Sequence, residues 1–244
     1  GVSGDGDSAS IGLGQFAHAM RRGVNMAYIV ENNGVYGLTK GQFSATADKG
    51  SRSKKGAVNS DSGIDLVALA LQLGATFVGR SFSGDKDQLV PLIKAALTHK
   101  GAAFIDVLSP CVAFNNHKGS TKSFDWVREH NEAVNRLDVI LGRAPVTADY
   151  APGSLVEVAQ HDGSVLMLRK VARDYDATDR VKAMAYLHER QAVGEIVTGL
   201  LFVDPGSEDL HDALGTVARP LNALADAELV PGSAALARIN AALR

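Results

Sequence analysis

The chain has 244 residues, of which 45% are hydrophobic and 21% are charged. This composition is typical of a globular protein with a hydrophobic core, and the length suffices for one large or two small domains. The 25 basic and 27 acidic residues give a net charge of -2, which argues against a nucleic-acid-binding or membrane-binding protein with a strongly basic surface.

The sequence also indicates where the protein works. No apolar run approaches the roughly 18 residues that span a bilayer, and the first residues lack the features of a secretion signal. The single cysteine, Cys111, excludes an internal disulfide framework and agrees with a reducing compartment. We therefore expect a cytoplasmic protein. Because the chain begins with Gly1 and reaches its first motif at Gly4 without a preceding strand, we also expect further native sequence upstream.

The first half of the chain alternates between helical and strand patterns. Apolar residues at helical spacing predict a helix over residues 8–22, and the apolar run 26–30 predicts a buried strand. Residues 37–63 show no periodicity, which favours a functional loop. A helix over 64–73, a strand over 76–79, a helix over 88–99 and a strand over 103–108 follow. This alternation predicts the α/β class with a mainly parallel sheet.

The second half has a different pattern. Phe124, Val127, Val134 and Leu137 have helical spacing, and residues 154–171 predict a hairpin that turns at residues 161–164. A helix over 177–191, a strand over 194–204 and several short helices complete the chain. We expect an α/β domain over residues 1–144 and a C-terminal α+β extension over 145–244 that contacts other subunits.

Two polar motifs flank the first predicted helix and strand. The run Gly4-Asp5-Gly6-Asp7 precedes the helix, and Asn33 follows the strand. A helix of about fifteen residues rises roughly 22 Å, and a strand of five or six residues returns roughly 18 Å in the opposite sense. We therefore expect Asp5 and Asn33 to meet at the carboxyl edge of adjacent parallel strands, where open α/β sheets bind ligands.

The same motifs carry groups suited to a metal and diphosphate site. Asp5 offers an anionic oxygen and Asn33 an amide oxygen, both of which suit Mg²⁺ shared with phosphates. Gly4 and Gly6 let the backbone approach a diphosphate, toward which the first helical amides point. Either motif alone is also typical of a simple turn, but their spacing favours a joint site. The glycines match neither the dinucleotide-binding pattern G-x-G-x-x-G nor a Walker-type loop.

These residues carry a family resemblance. Gly4-Asp5-Gly6 followed by Asn33 resembles the thiamine diphosphate motif of thiamine-dependent enzymes. The longer run ENNGVYGLTKGQ at residues 31–42 resembles the beta subunit of bacterial 2-oxoacid:ferredoxin oxidoreductases, especially the 2-oxoglutarate type, and the similarity continues at residues 106–111 and more loosely at 194–199. The resemblance implies the thiamine diphosphate-binding fold, a mainly parallel sheet with helices on both faces.

The resemblance also implies roles for individual residues. Mg²⁺ would be bound by Asp5, the Asn33 side chain and the Val35 carbonyl. Thiamine diphosphate would contact residues from both motifs, namely Gly4, Asp5, Gly6, Asp7, Asn33, Tyr36, Gly37, Leu38 and Thr39. Lys40 would pair with the distal carboxylate of a dicarboxylic 2-oxoacid, which favours 2-oxoglutarate over pyruvate; it is equally typical of a solvated loop residue.

Cys111 is implied to be one of four ligands to a [4Fe-4S] cluster. A lone cysteine is more often a small buried hydrophobe, but Cys111 follows a predicted strand in a loop level with the cofactor. A cluster normally needs four thiolates, so either the other three lie in the upstream segment, which we favour, or the protein holds no cluster. We predict no intact cluster in a chain limited to these residues. The histidines show no zinc motif; we interpret His18 and His117 as structural and keep His117 as a weaker site candidate.

The resemblance implies an oxidative decarboxylation that forms an acyl-coenzyme A and passes electrons to ferredoxin. An alpha subunit would complete the site within a heterotetramer, with a glutamate that activates the cofactor, so the chain alone would be inactive. Two alternatives remain open at this point. A nonoxidative thiamine-dependent decarboxylase would use the same Mg²⁺ site without Cys111, and a noncatalytic scaffold would only pack against an alpha chain.

Overall fold

The computed structural model describes residues 1–52, 57–111, 145–160, 165–230 and 232–243. The chain divides into two compact units, Gly1–Leu210 and His211–Arg244. The described part of the first unit contains nine strands: β1 (Val2–Gly4), β2 (Met26–Asn32), β3 (Val35–Tyr36), β4 (Gln42–Phe43), β5 (Phe77–Phe82), β6 (Ala102–Leu108), β7 (Leu155–Ala159), β8 (Val165–Lys170) and β9 (Ile196–Val203).

The helices of the first unit alternate with these strands. A π-helical segment, Gly6–Ile11, leads into the first α-helix, and the α-helices are α1 (Leu13–Arg21), α2 (Leu66–Gln72), α3 (Lys86–Thr98) and α4 (Arg180–Ala192). A further short helix, α5 (Leu210–Ala213), begins at the last residue of this unit and continues into the second. Aspartates at the starts of α2, α3 and α4 accept backbone amide hydrogens from the first turn; Asp65, for example, accepts from Val67 at 2.9 Å and Ala68 at 3.1 Å. Such caps typically stabilise a helix by about 1 kcal/mol each.

Seven strands form one mixed sheet in the order β1-β2-β6-β5-β9-β8-β7, and β3 pairs with β4 in a separate hairpin. The neighbours β1, β2, β6 and β5 run parallel. β9 joins β5 antiparallel, β8 is parallel to β9, and the edge strand β7 is antiparallel to β8. The predicted α/β class and mainly parallel sheet are confirmed.

Helices cover both faces of the sheet. On one face, α1, α2 and α4 pack against β2, β5, β6 and β9, with Phe16 and Met20 of α1 only 3% and 0% exposed. On the other face, Leu92 and Ala96 of α3 pack against Phe77 and Ile105. Burial of a side chain such as Phe16 contributes roughly 2 kcal/mol. The two covered faces explain why the central strands read as continuous apolar runs.

Two predictions at the start of the chain need correction. A strand does precede the Gly-Asp-Gly motif, since β1 pairs in parallel with β2, with Gly4 opposite Glu31. Three residues were too short a run to be recognised as a strand. The helix predicted over residues 8–22 starts earlier, as the π-helical segment from Gly6, and becomes α-helical only at Leu13.

Several predictions fall outside the described residues. They concern the helical pattern from Phe124 to Leu137, His117, the turn at residues 161–164 and the domain boundary at residue 144. The strands on either side of that turn, β7 and β8, pair antiparallel, which confirms the strands of the predicted hairpin. The boundary stays a prediction, and the first compact unit extends to Leu210.

The second unit consists of short helices, as predicted. They are most of α5, a 3-10 turn, Leu221–Ala223, and then α6 (Asp226–Leu229) and α7 (Gly232–Ala242). No residue is buried among 211–230 and 232–243. Packing of this unit on another subunit stays a prediction. In the described parts of both units, no helix is long and apolar enough to cross a membrane.

Candidate cofactor site at the carboxyl edge of the sheet

Asp5 and Asn33 lie together at the edge where β1 and β2 end. Each directly follows the last residue of its strand, and the backbone amide of Asn33 donates a hydrogen bond to Oδ1 of Asp5 at 3.3 Å. The parallel pairing of β1 with β2 puts both strand ends at the same level. The predicted convergence of these two residues is therefore confirmed, whereas their binding of a metal stays a prediction.

The Asp5 carboxylate is buried, with 1% of the residue exposed. Its Oδ2 accepts hydrogen bonds from the hydroxyl of Ser44 and, at 2.6 Å, from Oγ1 of Thr46. No ion pair among the described residues includes Asp5. Buried carboxylates are usually paired with a cation or bound to a metal. The environment of Asp5 therefore suits a bound metal ion, which would supply the missing positive charge.

Ser44 and Thr46 were not identified from the sequence. They lie in the nonperiodic segment after β4, where the only signal was two hydroxyl residues spaced by one. The structure brings them back over the end of β1, and the amide of Ala45 between them donates to the hydroxyl of Ser10 at 3.1 Å. This loop therefore forms one wall of the site.

Asn33 shapes the chain that follows it. Its Oδ1 accepts the amide hydrogen of Val35 at 3.0 Å, an Asx turn that reverses the chain after β2. Val35 then begins the β3–β4 hairpin directly after this turn. The three predicted metal ligands, Asp5, Asn33 and Val35, thus lie in one small region.

The hairpin loop presents the predicted substrate and cofactor residues. The amide of Gly41 donates to the Tyr36 carbonyl at 2.9 Å, which closes the turn. The residues of the loop from Gly37 to Lys40 are exposed. Lys40 has a φ of 77°, in the left-handed region that favours glycine, and strain of this kind clusters at functional sites.

Gly6 lies beneath the hairpin. A Cβ atom at Gly6 would come within 2.5 Å of the Tyr36 ring, so a side chain here would displace that ring. A Cβ atom at Gly4 would meet only Asp7, at 4.0 Å. The packing of Tyr36 therefore favours glycine at position 6. At position 4 the surrounding protein leaves room for a side chain, so the predicted preference for glycine there applies only if a ligand approaches the backbone.

A second polar cluster lies behind Asp5, inside the sheet. Arg80 of β5 and Asp106 of β6 are paired in register, and Nε of Arg80 donates to Oδ2 of Asp106 at 2.8 Å. Nη2 of Arg80 donates to Oδ1 of Asp65 at 2.5 Å. Burial raises the pKa of Asp106 even with Arg80 beside it. Burial also opposes ionisation of Asp65, but Arg80 and the capping amides outweigh it and lower the pKa of Asp65.

Arg80 and Asp106 were also not identified from the sequence. The signal was a charged residue within each of two otherwise apolar strands, and it has meaning only once the strands are known to be neighbours in this register. The Asn32 side chain connects this cluster to the site, since its Nδ2 donates to Oδ1 of Asp106 at 3.0 Å.

Cys111 follows β6 at the same edge of the sheet. The amide of Ser109 donates to the carbonyl of Asn32 at 2.9 Å, so the chain leaves β6 beside the end of β2. Cys111 is a partly exposed free thiol. The described residues contain no group of three or more His, Cys, Asp or Glu side chains that could hold a metal ion. His18 lies on the exposed side of α1.

The chain is similar to known proteins over its N-terminal half. Residues 1–107 match the family described as thiamine pyrophosphate enzyme, C-terminal TPP binding domain. A 2-oxoacid:ferredoxin oxidoreductase subunit beta from Saccharolobus solfataricus is 50% identical over 116 residues, which are 46% of this chain and 37% of the relative. A 2-oxoglutarate oxidoreductase subunit KorB from Mycobacterium tuberculosis is 42% identical over 129 residues, 52% of this chain and 33% of the relative.

A solved structure extends the similarity. It is a 2-oxoglutarate:ferredoxin oxidoreductase from Magnetococcus marinus with 2-oxoglutarate, coenzyme A and succinyl-CoA bound. It matches 90% of this chain and 63% of its own with a TM-score of 0.60 and 26% identity. The chain spans about a third of the length of the two curated relatives described above. These similarities confirm the family resemblance inferred from the motifs.

Proposed function

We propose that the chain acts as the beta subunit of a 2-oxoacid:ferredoxin oxidoreductase that uses 2-oxoglutarate, on the premise that its residues 1–107 match the family of thiamine pyrophosphate-binding domains. The observation that carries the proposal is the buried Asp5 carboxylate, which meets the end of β2 at Asn33 and has no ion-pair partner among the described residues. The named relatives act on 2-oxoacids or 2-oxoglutarate.

The metal site in this proposal consists of oxygen ligands. Asp5, the Asn33 side chain and the Val35 carbonyl hold Mg²⁺, which prefers oxygen ligands and shares its shell with phosphates. The Asx turn at Asn33 and the loop hydroxyls on Asp5 support this set, because metal-binding carboxylates are normally held by further hydrogen bonds. Gly4, Gly6 and Asp7 face the diphosphate together with Tyr36, Gly37, Leu38 and Thr39 from the hairpin.

The chain contributes binding and orientation to the chemistry. Thiamine diphosphate, when bound, supplies an electron sink for the decarboxylation of a 2-oxoacid. Asp5 and Asn33 would hold the metal that binds the diphosphate, and Lys40, exposed in the hairpin, would pair its ammonium with the distal carboxylate of 2-oxoglutarate. The exposure of residues 37–40 leaves this side of the site to be covered by the alpha subunit.

The remaining partners follow from the oxidative reaction. Coenzyme A would take up the acyl group and ferredoxin the electrons, and Cys111 would provide one of the four ligands to a [4Fe-4S] cluster. The position of Cys111 beyond β6, at the edge that carries Asp5, supports this role. A heterotetramer with the alpha subunit in the cytoplasm is the setting we expect, the location resting on the single cysteine.

The proposal is tested on the protein purified together with its alpha subunit. We expect binding of thiamine diphosphate that requires Mg²⁺ and a coenzyme-A-dependent reduction of a viologen dye with 2-oxoglutarate. Release of an aldehyde without coenzyme A would instead indicate a nonoxidative decarboxylase. Absence of any thiamine diphosphate binding would contradict both activities and leave a scaffold.

A further inference from the structure

A continuous series of side-chain hydrogen bonds links Asp5 to Arg80, which does not touch the site itself. Thr46 Oγ1 lies 2.6 Å from Asp5 Oδ2 and 3.0 Å from Asn32 Oδ1. Asn32 Nδ2 lies 3.0 Å from Asp106 Oδ1, and Arg80 Nε lies 2.8 Å from Asp106 Oδ2. Each of these groups therefore lies within hydrogen-bond distance of the next one in the series.

Arg80 occupies an unusual position for an arginine. It lies in the middle of β5, a strand whose six residues are all buried, and is itself 5% exposed. Burying a guanidinium and two carboxylates is expensive, and such clusters often contribute little net stability compared with apolar residues. A role in fixing the geometry of neighbouring groups is the better account of this cluster.

The donor and acceptor roles in this series follow from Arg80, because a guanidinium can only donate hydrogen bonds. The two Asp106 oxygens accept from Arg80 and from Asn32, so the Asn32 amide must present its nitrogen to Asp106. Its oxygen then faces Thr46 as an acceptor. The single hydrogen of the Thr46 hydroxyl lies between two acceptors, Asn32 Oδ1 and Asp5 Oδ2, so the position of the Asn32 oxygen influences how Thr46 donates to the Asp5 carboxylate.

We propose that Arg80 is a positioning residue for the metal site: through Asp106, Asn32 and Thr46 it holds the Asp5 carboxylate in the orientation that binds Mg²⁺ with the cofactor. The inference rests on the proposed function. The second contact of Arg80, with the helix-capping Asp65, anchors the guanidinium to the start of α2. Without Arg80, the side chains of Asp106 and Asn32 are no longer held in place. The Thr46 hydroxyl then loses its fixed orientation toward Asp5.

The test measures how thiamine diphosphate binding depends on Mg²⁺ in the enzyme purified together with its alpha subunit. Isothermal calorimetry is performed on wild type, Arg80→Met, Thr46→Val, the double variant and Arg169→Met. The last variant is the control, because Arg169 forms a comparable ion pair with Glu195 between β8 and the start of β9. We expect Arg80→Met to raise the Mg²⁺ concentration for half-maximal binding about tenfold, the usual effect of losing an outer-shell partner, and Arg169→Met to leave it unchanged.

The double variant separates positioning from general weakening. Arg80 and Thr46 act through the same carboxylate, so Arg80→Met and Thr46→Val should together raise the Mg²⁺ requirement no more than the larger single change. Additive effects would overturn the proposal, as would an unchanged requirement in Arg80→Met. If Arg80→Met does not assemble, Arg80→Lys takes its place in the measurement. Lysine keeps the positive charge but cannot bridge Asp106 and Asp65, so the same increase in the Mg²⁺ requirement is expected, and an unchanged requirement would overturn the proposal. A wild-type enzyme that binds no thiamine diphosphate would refute the proposed function itself, and the inference with it.

Discussion

The backbone amide of Asn33 donates a hydrogen bond to the carboxylate of Asp5, although 28 residues separate them in the chain. This contact joins the ends of β1 and β2. It is formed by a backbone group of Asn33 and the side chain of Asp5. The Asn33 side chain remains directed into its own turn toward Val35. The Asp5 carboxylate and the turn that holds the Asn33 amide oxygen thus adjoin at the same edge of the sheet.

Substitution of Asp5 tests the metal site directly. We expect Asp5→Asn to weaken Mg²⁺-dependent thiamine diphosphate binding at least about 100-fold, since the only carboxylate among the proposed ligands loses its charge. Glu157→Gln is the matched control, because Glu157 is an exposed acid on the edge strand at the other end of the sheet. Unchanged affinity in Asp5→Asn, measured by calorimetry on the assembled enzyme, would remove Asp5 from the metal site.

Gly6 provides a steric test of the same region. In Gly6→Ala the new methyl group would lie 2.5 Å from the Tyr36 ring, so the ring must move away. We expect a loss of about 1–3 kcal/mol in the free energy of unfolding, as for other overpacked sites, together with weaker binding of thiamine diphosphate. Gly14→Ala is the control, since nothing lies within 4 Å of its added Cβ, and it should stabilise α1 by about 0.5–1 kcal/mol. Equal effects of the two changes on urea unfolding would contradict the role of Tyr36.

Lys40 is the residue proposed to select the substrate. Lys40→Ala should raise the KM for 2-oxoglutarate about tenfold or more, through loss of a charge-assisted contact, and leave the KM for 2-oxobutyrate nearly unchanged. Lys40→Gly distinguishes the side chain from the backbone, because glycine also relieves the positive φ of 77° and should show the same substrate effect. Lys49→Ala, at an exposed lysine beyond β4, should affect neither substrate. Equal increases for both substrates would refute selection by Lys40.

The sequence was sufficient to predict the meeting of Asp5 and Asn33 because strand direction and element lengths determine it. A helix followed by a parallel strand returns the chain to the same edge, whatever the surrounding residues are. Ser44 and Thr46 depend instead on the path of a nonperiodic loop, which no spacing rule determines. Arg80 and Asp106 depend on strand order and register, since β6 lies between β2 and β5 although β5 precedes it in the chain.

The iron content of the chain tests the proposed role of Cys111. A cluster needs about four thiolates, and this sequence has one cysteine. We expect a preparation limited to these residues to contain far less iron than about four atoms per chain, with Cys111→Ser no lower than wild type. An iron content near four per chain that falls in Cys111→Ser would show that the chain holds a complete cluster with other ligands.

His99 should make the stability of the fold depend on pH. Its ring nitrogen Nε2 lies 2.8 Å from the hydroxyl of Thr76, and its ring lies beside Phe77. Burial lowers the pKa of His99 below its ordinary value of 6.5, although Asp204 partly opposes this. The unfolded chain therefore binds the proton more readily than the folded one. The contribution to stability is present above pH 6.5 and is lost as the pH falls through that value toward the folded-state pKa.

The measurement compares urea midpoints at about pH 7.5 and about pH 5.5, on either side of the histidine titration. The midpoint of wild type should fall more between these values than that of His99→Gln, which keeps a polar group near Thr76 but does not titrate. His18→Gln, at an exposed histidine on α1, should behave like wild type because its ring is not buried against the sheet. If His99→Gln loses as much stability as wild type on acidification, other groups cause the pH dependence, and the burial of His99 has no measurable effect on folding.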